Sequence, residues 1–96
     1  MIKVRRENNI ITISGHAGSD VYGKDIVCAS VSSIVYTTIN AIKRLNKNAI
    51  KVIDNDVMEI KILENDEITD SLIENMFDLL KSLESDYSKN ISVKES

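Results

Sequence analysis

The spacing of apolar residues changes repeatedly along this chain, and no other feature limits its possible folds so tightly. Ile2 to Arg6 (IKVRR) and Ile10 to Ser14 (IITIS) are short, rich in β-branched residues and separated by the turn signal Asn8-Asn9. They predict an opening β-hairpin. Residues 16–24, HAGSDVYGK, follow no period and read as a loop. Val27, Val31, Ile34, Thr38, Ile42 and Leu45 then recur at intervals of three and four, with Val35 and Ile39 widening the stripe. That spacing predicts one buried helical face, with Asp25 as N-cap and a helix from Ile26 to Asn46. Ile50 to Ile53 and Val57 to Leu63 alternate around an Asp54-Asn55-Asp56 turn, a second hairpin with Met58, Ile60 and Ile62 on one face. A second helix opens at Asn65-Asp66-Glu67, with Ile68, Leu72, Ile73, Met76, Leu79, Leu80 and Leu83 as its expected buried face. Lys89 to Val93 (KNISV) supplies a last short strand, so the order is ββαββα(β). This is an α+β class chain: two layers, with a mainly antiparallel sheet and two helices packed on one face.

A length of 96 residues allows one domain, residues 1–96. Aromatic residues are 4% of the chain and tryptophan is absent, so the core must be aliphatic. The net charge of −3 argues against a fold-wide nucleic-acid surface, which needs cations to displace counterions. The cations Lys43, Arg44, Lys47 and Lys51 read as a solvated helix end. One cysteine cannot form an intrachain disulfide, and MIKVRRENN is followed by no apolar signal segment. No apolar run is expected to reach the ~20 residues of a membrane span. A cytoplasmic protein without membrane or direct nucleic-acid contact is therefore expected.

The scarcest residue types crowd into GHAGSDVYGKDIVCASVS, residues 15–32: the one histidine, the one cysteine and all three glycines. With Asp25 as N-cap, Cys28 falls in the first helical turn, where the macrodipole and open amides favour a thiolate and an oxyanion. His16 follows the second strand almost directly and can fold back toward Cys28 as its base. Taken singly, each residue also has a plain structural role: Cys28 as a small buried hydrophobe, His16 as a hydrogen-bonded strand end. Asp25 either caps the helix or orients His16. Ser32, one turn after Cys28, either bonds the thiolate or substrate, or bonds back to the Cys28 carbonyl. The segment Gly18 to Gly23, with Tyr22 within it, has glycines at both ends and reads as a hinged cover. Neither a cofactor nor a metal is expected, since one His and one Cys fall short of a metal ligand set.

The window resembles the ribosomal-processing cysteine protease family called Prp. That family carries a GHA motif and then a G-x-D-[IV]-[VI]-C-A-[AG]-x-S segment. Gly15-His16-Ala17 matches the first; Gly23, Asp25, Ile26, Val27, Cys28, Ala29 and Ser32 match the second, with Ser30 as the departure. The resemblance implies a Cys–His dyad endopeptidase with Cys28 as nucleophile and His16 as proton acceptor and donor. Asp25 and Ser32 would support them, and Gly18, Tyr22 and Gly23 would lie in a mobile loop. It further implies a cytoplasmic homodimer that removes the N-terminal extension of large-subunit ribosomal protein twenty-seven, at a site just after a pair of phenylalanines and an alanine, for ribosome assembly. Two readings compete with it: a non-catalytic ribosome-associated binding module, and a redox-sensing thiol that lacks a resolving cysteine.

Overall fold

The computed structural model describes residues 1–15 and 22–96, with the side chains of 22–25 excepted. The elements run β1 (Ile2–Glu7), β2 (Ile10–Ser14), α1 (Tyr22–Leu45), β3 (Ile50–Asp54), β4 (Met58–Ile62), α2 (Glu67–Asp86) and β5 (Ile91–Glu95). β1 and β2 meet across a two-residue turn, Glu7 facing Ile10, in which Asn8 takes a φ of 56°. Asparagine tolerates this left-handed region better than most residues. β3 and β4 form the second hairpin.

The sheet order is β3-β4-β2-β1-β5. Three pairings are antiparallel and the last, β1 with β5, is parallel, so the sheet is mixed. Alternation sorts each strand. Ile2, Val4, Ile11, Ile13, Met58, Ile60, Ile62, Ile91 and Val93 are buried under the helices, while Lys3, Arg5, Thr12, Glu59, Lys61 and Lys94 fall between them on the open face. Arg5 ties the outer pair together by donating to the Ser92 carbonyl at 2.8 Å and to Ser92 Oγ at 3.2 Å.

Both helices contribute one stripe to an aliphatic core in which Phe77 is the fully buried aromatic among the described residues. α1 buries Val27, Val31, Val35, Thr38, Ile39 and Ile42; α2 buries Thr69, Ile73, Met76, Phe77 and Leu80. The α2 face is rotated from the expected one, since Ile68 is 55% and Leu79 47% exposed. Apolar residues cover more of α2 than one face can bury, so packing rather than periodicity picks the stripe. A second difference concerns length and hydropathy. Ile26–Leu45 is apolar and long enough to cross a membrane by those measures alone, contrary to the expectation of no such run. In this fold its inward stripe lies on the sheet. Lys43 and Arg44 end α1 where cations suit the helix dipole.

Candidate active site

Cys28 is the seventh residue of α1, half-buried and packed against the core cluster. Helix α1 begins at Tyr22, not at Ile26, and this corrects three expectations. Asp25 is not the N-cap; its backbone is already helical. Tyr22 and Gly23 are the first residues of the helix rather than part of a loop. Cys28 stands near the end of the second turn, beyond the first four amides that a helix leaves open. The dipole's influence has largely fallen away there, and the Cys28 amide belongs to the regular ladder. The physical reason is local. Of residues 22–25 only Gly23 disfavours a helix, by about 1 kcal/mol, and the chain has no proline to stop one.

β2 ends at Ser14, directly before the Gly15-His16-Ala17 motif. Gly15 takes a φ of 81°, and a Cβ built on it would lie 2.1 Å from the carbonyl oxygen of Met1. Only glycine fits, because the backbone of the β1 start occupies the space a side chain would need. This closeness sets the direction in which the chain leaves β2 toward residue 16. His16 and Gly18 lie outside the described residues.

Between α1 and the sheet is a shallow hollow lined by Ile13, Val31, Ser32, Val35, Tyr36 and Met58. Ile13 is the penultimate residue of β2. Val31 is three residues after Cys28, roughly 4.5 Å along the helix axis. The hollow thus lies about one turn beyond Cys28 along α1. Ser32 is exposed on its rim, one turn from Cys28. The back-bond to a helix carbonyl is made by its neighbour, Ser30 Oγ to the Ile26 oxygen at 2.9 Å. Tyr36 closes the far side by donating its hydroxyl to Asp54 at the end of β3. That bond, with some desolvation and the nearby negative charge, holds the phenol above its ordinary pKa.

Sequence reasoning missed Tyr36, Asp54 and Met58 as residues near the site, and gave Gly15 no structural role. The signal for Tyr36 was its place two turns after Cys28. Nothing local linked it to Asp54, since that contact spans 18 positions.

Comparisons with known proteins converge. The sequence model of the family described as cysteine protease Prp matches residues 1–92. The ribosomal processing cysteine protease Prp of Staphylococcus aureus (strain Mu50 / ATCC 700699) is 31% identical over 85 residues, covering 84% of this chain and 80% of its own. A crystal structure of the essential ribosomal processing protease Prp from S. aureus with a substrate peptide aligns at a TM-score of 0.86. It is 22% identical and covers 99% of this chain and 97% of that one. The structure of SMU.848 from Streptococcus mutans aligns at 0.85 with 26% identity, over 98% and 90% of the two chains.

Proposed function

This chain belongs to the Prp family of cysteine proteases, and from that premise we propose that it cleaves the N-terminal extension of a large-subunit ribosomal protein, with Cys28 as nucleophile and His16 as base. The observation that carries the reading is the hollow shared by the turn of α1 after Cys28 and the strand end leading to His16. Relatives called ribosomal processing proteases, one of them crystallised with a substrate peptide, support the substrate class.

In the proposed reaction the Cys28 thiolate attacks the peptide carbonyl carbon and forms a C–S bond. The imidazolium of His16 gives its proton to the departing amine as the C–N bond breaks. A water then loses a proton to His16 and attacks the thioester, releasing the carboxylate and restoring the thiol. The substrate is the extension of ribosomal protein twenty-seven, cut just after its phenylalanine pair and an alanine, in the cytoplasm and by a homodimer.

The test is incubation of the purified protein with a peptide carrying that extension, read by mass spectrometry. Cleavage at one bond is expected. Cys28→Ala and His16→Ala should each lower the rate by at least about a thousandfold with an unchanged melting temperature. Cleavage that survives Cys28→Ala would end the dyad reading, and no cleavage by the wild type would favour a non-catalytic binding module.

A further inference from the structure

We infer that the open face of the sheet docks the sugar–phosphate backbone of RNA, with Lys51 and Lys61 meeting it on one side and Lys3, Arg5 and Lys94 on the other. The choice of RNA rests on the proposed ribosomal substrate, whereas the charge of the face is independent of it.

Register brings these cations together. The side of the sheet away from the helices presents Lys51 on β3, Lys61 on β4, Lys3 and Arg5 on β1 and Lys94 on β5, against the carboxylates Glu7 and Glu59. That is a net +3 on a chain whose total is −3, so the rest of the chain carries −6. The acidic total, which speaks against a fold-wide nucleic-acid surface, hides one basic face. Lys51 belongs to this face, in β3, and not to the helix end of Lys43 and Arg44.

Two pairings on the face cost stability. Lys51 lies directly opposite Lys61, and Arg5 directly beside Lys94. Like charges in facing positions repel. Among the described residues, none of the five cations forms an ion pair; Lys81 with Glu95 does. A phosphate seated on either pair converts the repulsion into attraction. Lys61 and Arg5 are two strand steps and two residues apart, roughly 12 Å, so the two pairs can meet separate phosphates.

Arg5 is fixed in place. Its Nη1 donates to the Val4 and Ser92 carbonyls at 2.9 and 2.8 Å, and Nη2 donates to Ser92 Oγ at 3.2 Å. It also lines an open hollow of about 550 Å³ with Glu7, Asn8, Asn9, Ile10 and Thr12. The Asn8 amide and the Thr12 hydroxyl can donate to phosphate oxygens. Glu7 can accept from a ribose 2′-hydroxyl, a group that DNA lacks.

Other occupants fit less well. A second copy on this face would set +3 against +3. A lipid surface needs apolar residues to enter it, and Ile10 is the exposed large hydrophobic of the face. The described aromatics Tyr36, Phe77 and Tyr87 lie in the helices or at their ends. Bases therefore find no stacking platform here, and contact goes to the backbone.

The experiment follows a fluorescein-labelled RNA hairpin of about 16 base pairs by anisotropy across a salt series. It compares wild type, Lys51→Gln/Lys61→Gln, and Lys43→Gln/Lys47→Gln, which removes the same charge from the end of α1. For wild type, log K against log salt should fall with a slope of roughly −3 to −4. Lys51→Gln/Lys61→Gln should bind about tenfold more weakly at low salt, with a slope shallower by about two. The helix-end variant should stay within about twofold of wild type. The DNA hairpin of the same sequence should bind wild type at least about threefold more weakly. Lys51→Gln/Lys61→Gln should melt no lower than wild type, because a repulsion has been removed. Equal losses in both variants, equal affinity for DNA, or binding to phosphatidylglycerol vesicles without binding to the RNA would overturn the inference. All three proteins should cleave the free extension peptide with equal kcat/KM. Absent RNA binding with Cys28-dependent cleavage intact would sink the RNA face alone. RNA binding by a protein that cuts no peptide would keep the face and end the protease reading.

Discussion

Gly15 joins two constraints at one residue: a φ of 81° and a backbone oxygen where a Cβ would stand. Alanine at this position suffers a left-handed penalty of about 1–2 kcal/mol before any clash is counted. Relieving the clash means moving either the β1 start or the strand end that leads to His16. Gly15→Ala is expected to lower the melting temperature by several degrees, measured by circular dichroism. It should lower peptide cleavage much further, because a small shift of a proton-transfer group costs rate steeply. Cleavage and stability falling in the same proportion would show Gly15 to be a folding residue alone. The glycine was visible in the sequence, but its reason was not. The Met1 carbonyl is a neighbour only after β1 and β2 have paired.

Helix α2 begins with a cap that titrates. The Asp66 carboxylate accepts from the Thr69 amide at 2.8 Å and from the Thr69 hydroxyl at 2.9 Å. These bonds, the amide first, hold its pKa below the usual aspartate value. A carboxyl whose folded pKa is lowered stabilises the fold above its unfolded pKa, and that contribution is lost as pH falls through the folded one. Asp66→Asn should therefore keep much of the cap at neutral pH and flatten the acid limb of a plot of melting temperature against pH below the ordinary aspartate pKa of about 3.9. An acid limb as steep as that of wild type would show that other carboxylates set it. The cap was legible in Asn65-Asp66-Glu67, because capping is a local matter of spacing. The start of α1 was not, because an aspartate before an apolar stripe looks the same whether it caps a helix or lies inside one. The exposed ends of the stripes misled for a related reason. Leu45, 64% exposed, continues the α1 period past the point where the sheet can cover it.

At the scale of the molecule, the last strand decides whether the first is protected. β5 pairs parallel with β1 in register from Ile2↔Ile91 to Arg6↔Glu95. The Ile2 amide donates to the Asn90 carbonyl at 2.9 Å, so chain start and chain end close one edge of the sheet. Deleting residues 91–96 removes the buried Ile91 and Val93. Their burial is worth roughly 3–6 kcal/mol together, against a typical total stability of about 5–15 kcal/mol. It also leaves β1 as an unpaired edge. The truncated chain is expected to lose its cooperative melting transition or to aggregate, read by calorimetry and size-exclusion chromatography. A monomer melting within a few degrees of the full chain would contradict this. The two hairpins, both helices, their order and the GHA and Cys28 motifs could be read from the sequence alone, since each depends on neighbours a few positions apart. Periodicity, turn residues and rare side chains are local properties. The strand order, the parallel partner of β1, the choice among the apolar stripes of α2 and the bond from Tyr36 to Asp54 were decided only by tertiary structure. Each depends on which distant surfaces pack together, and one-dimensional spacing does not specify that.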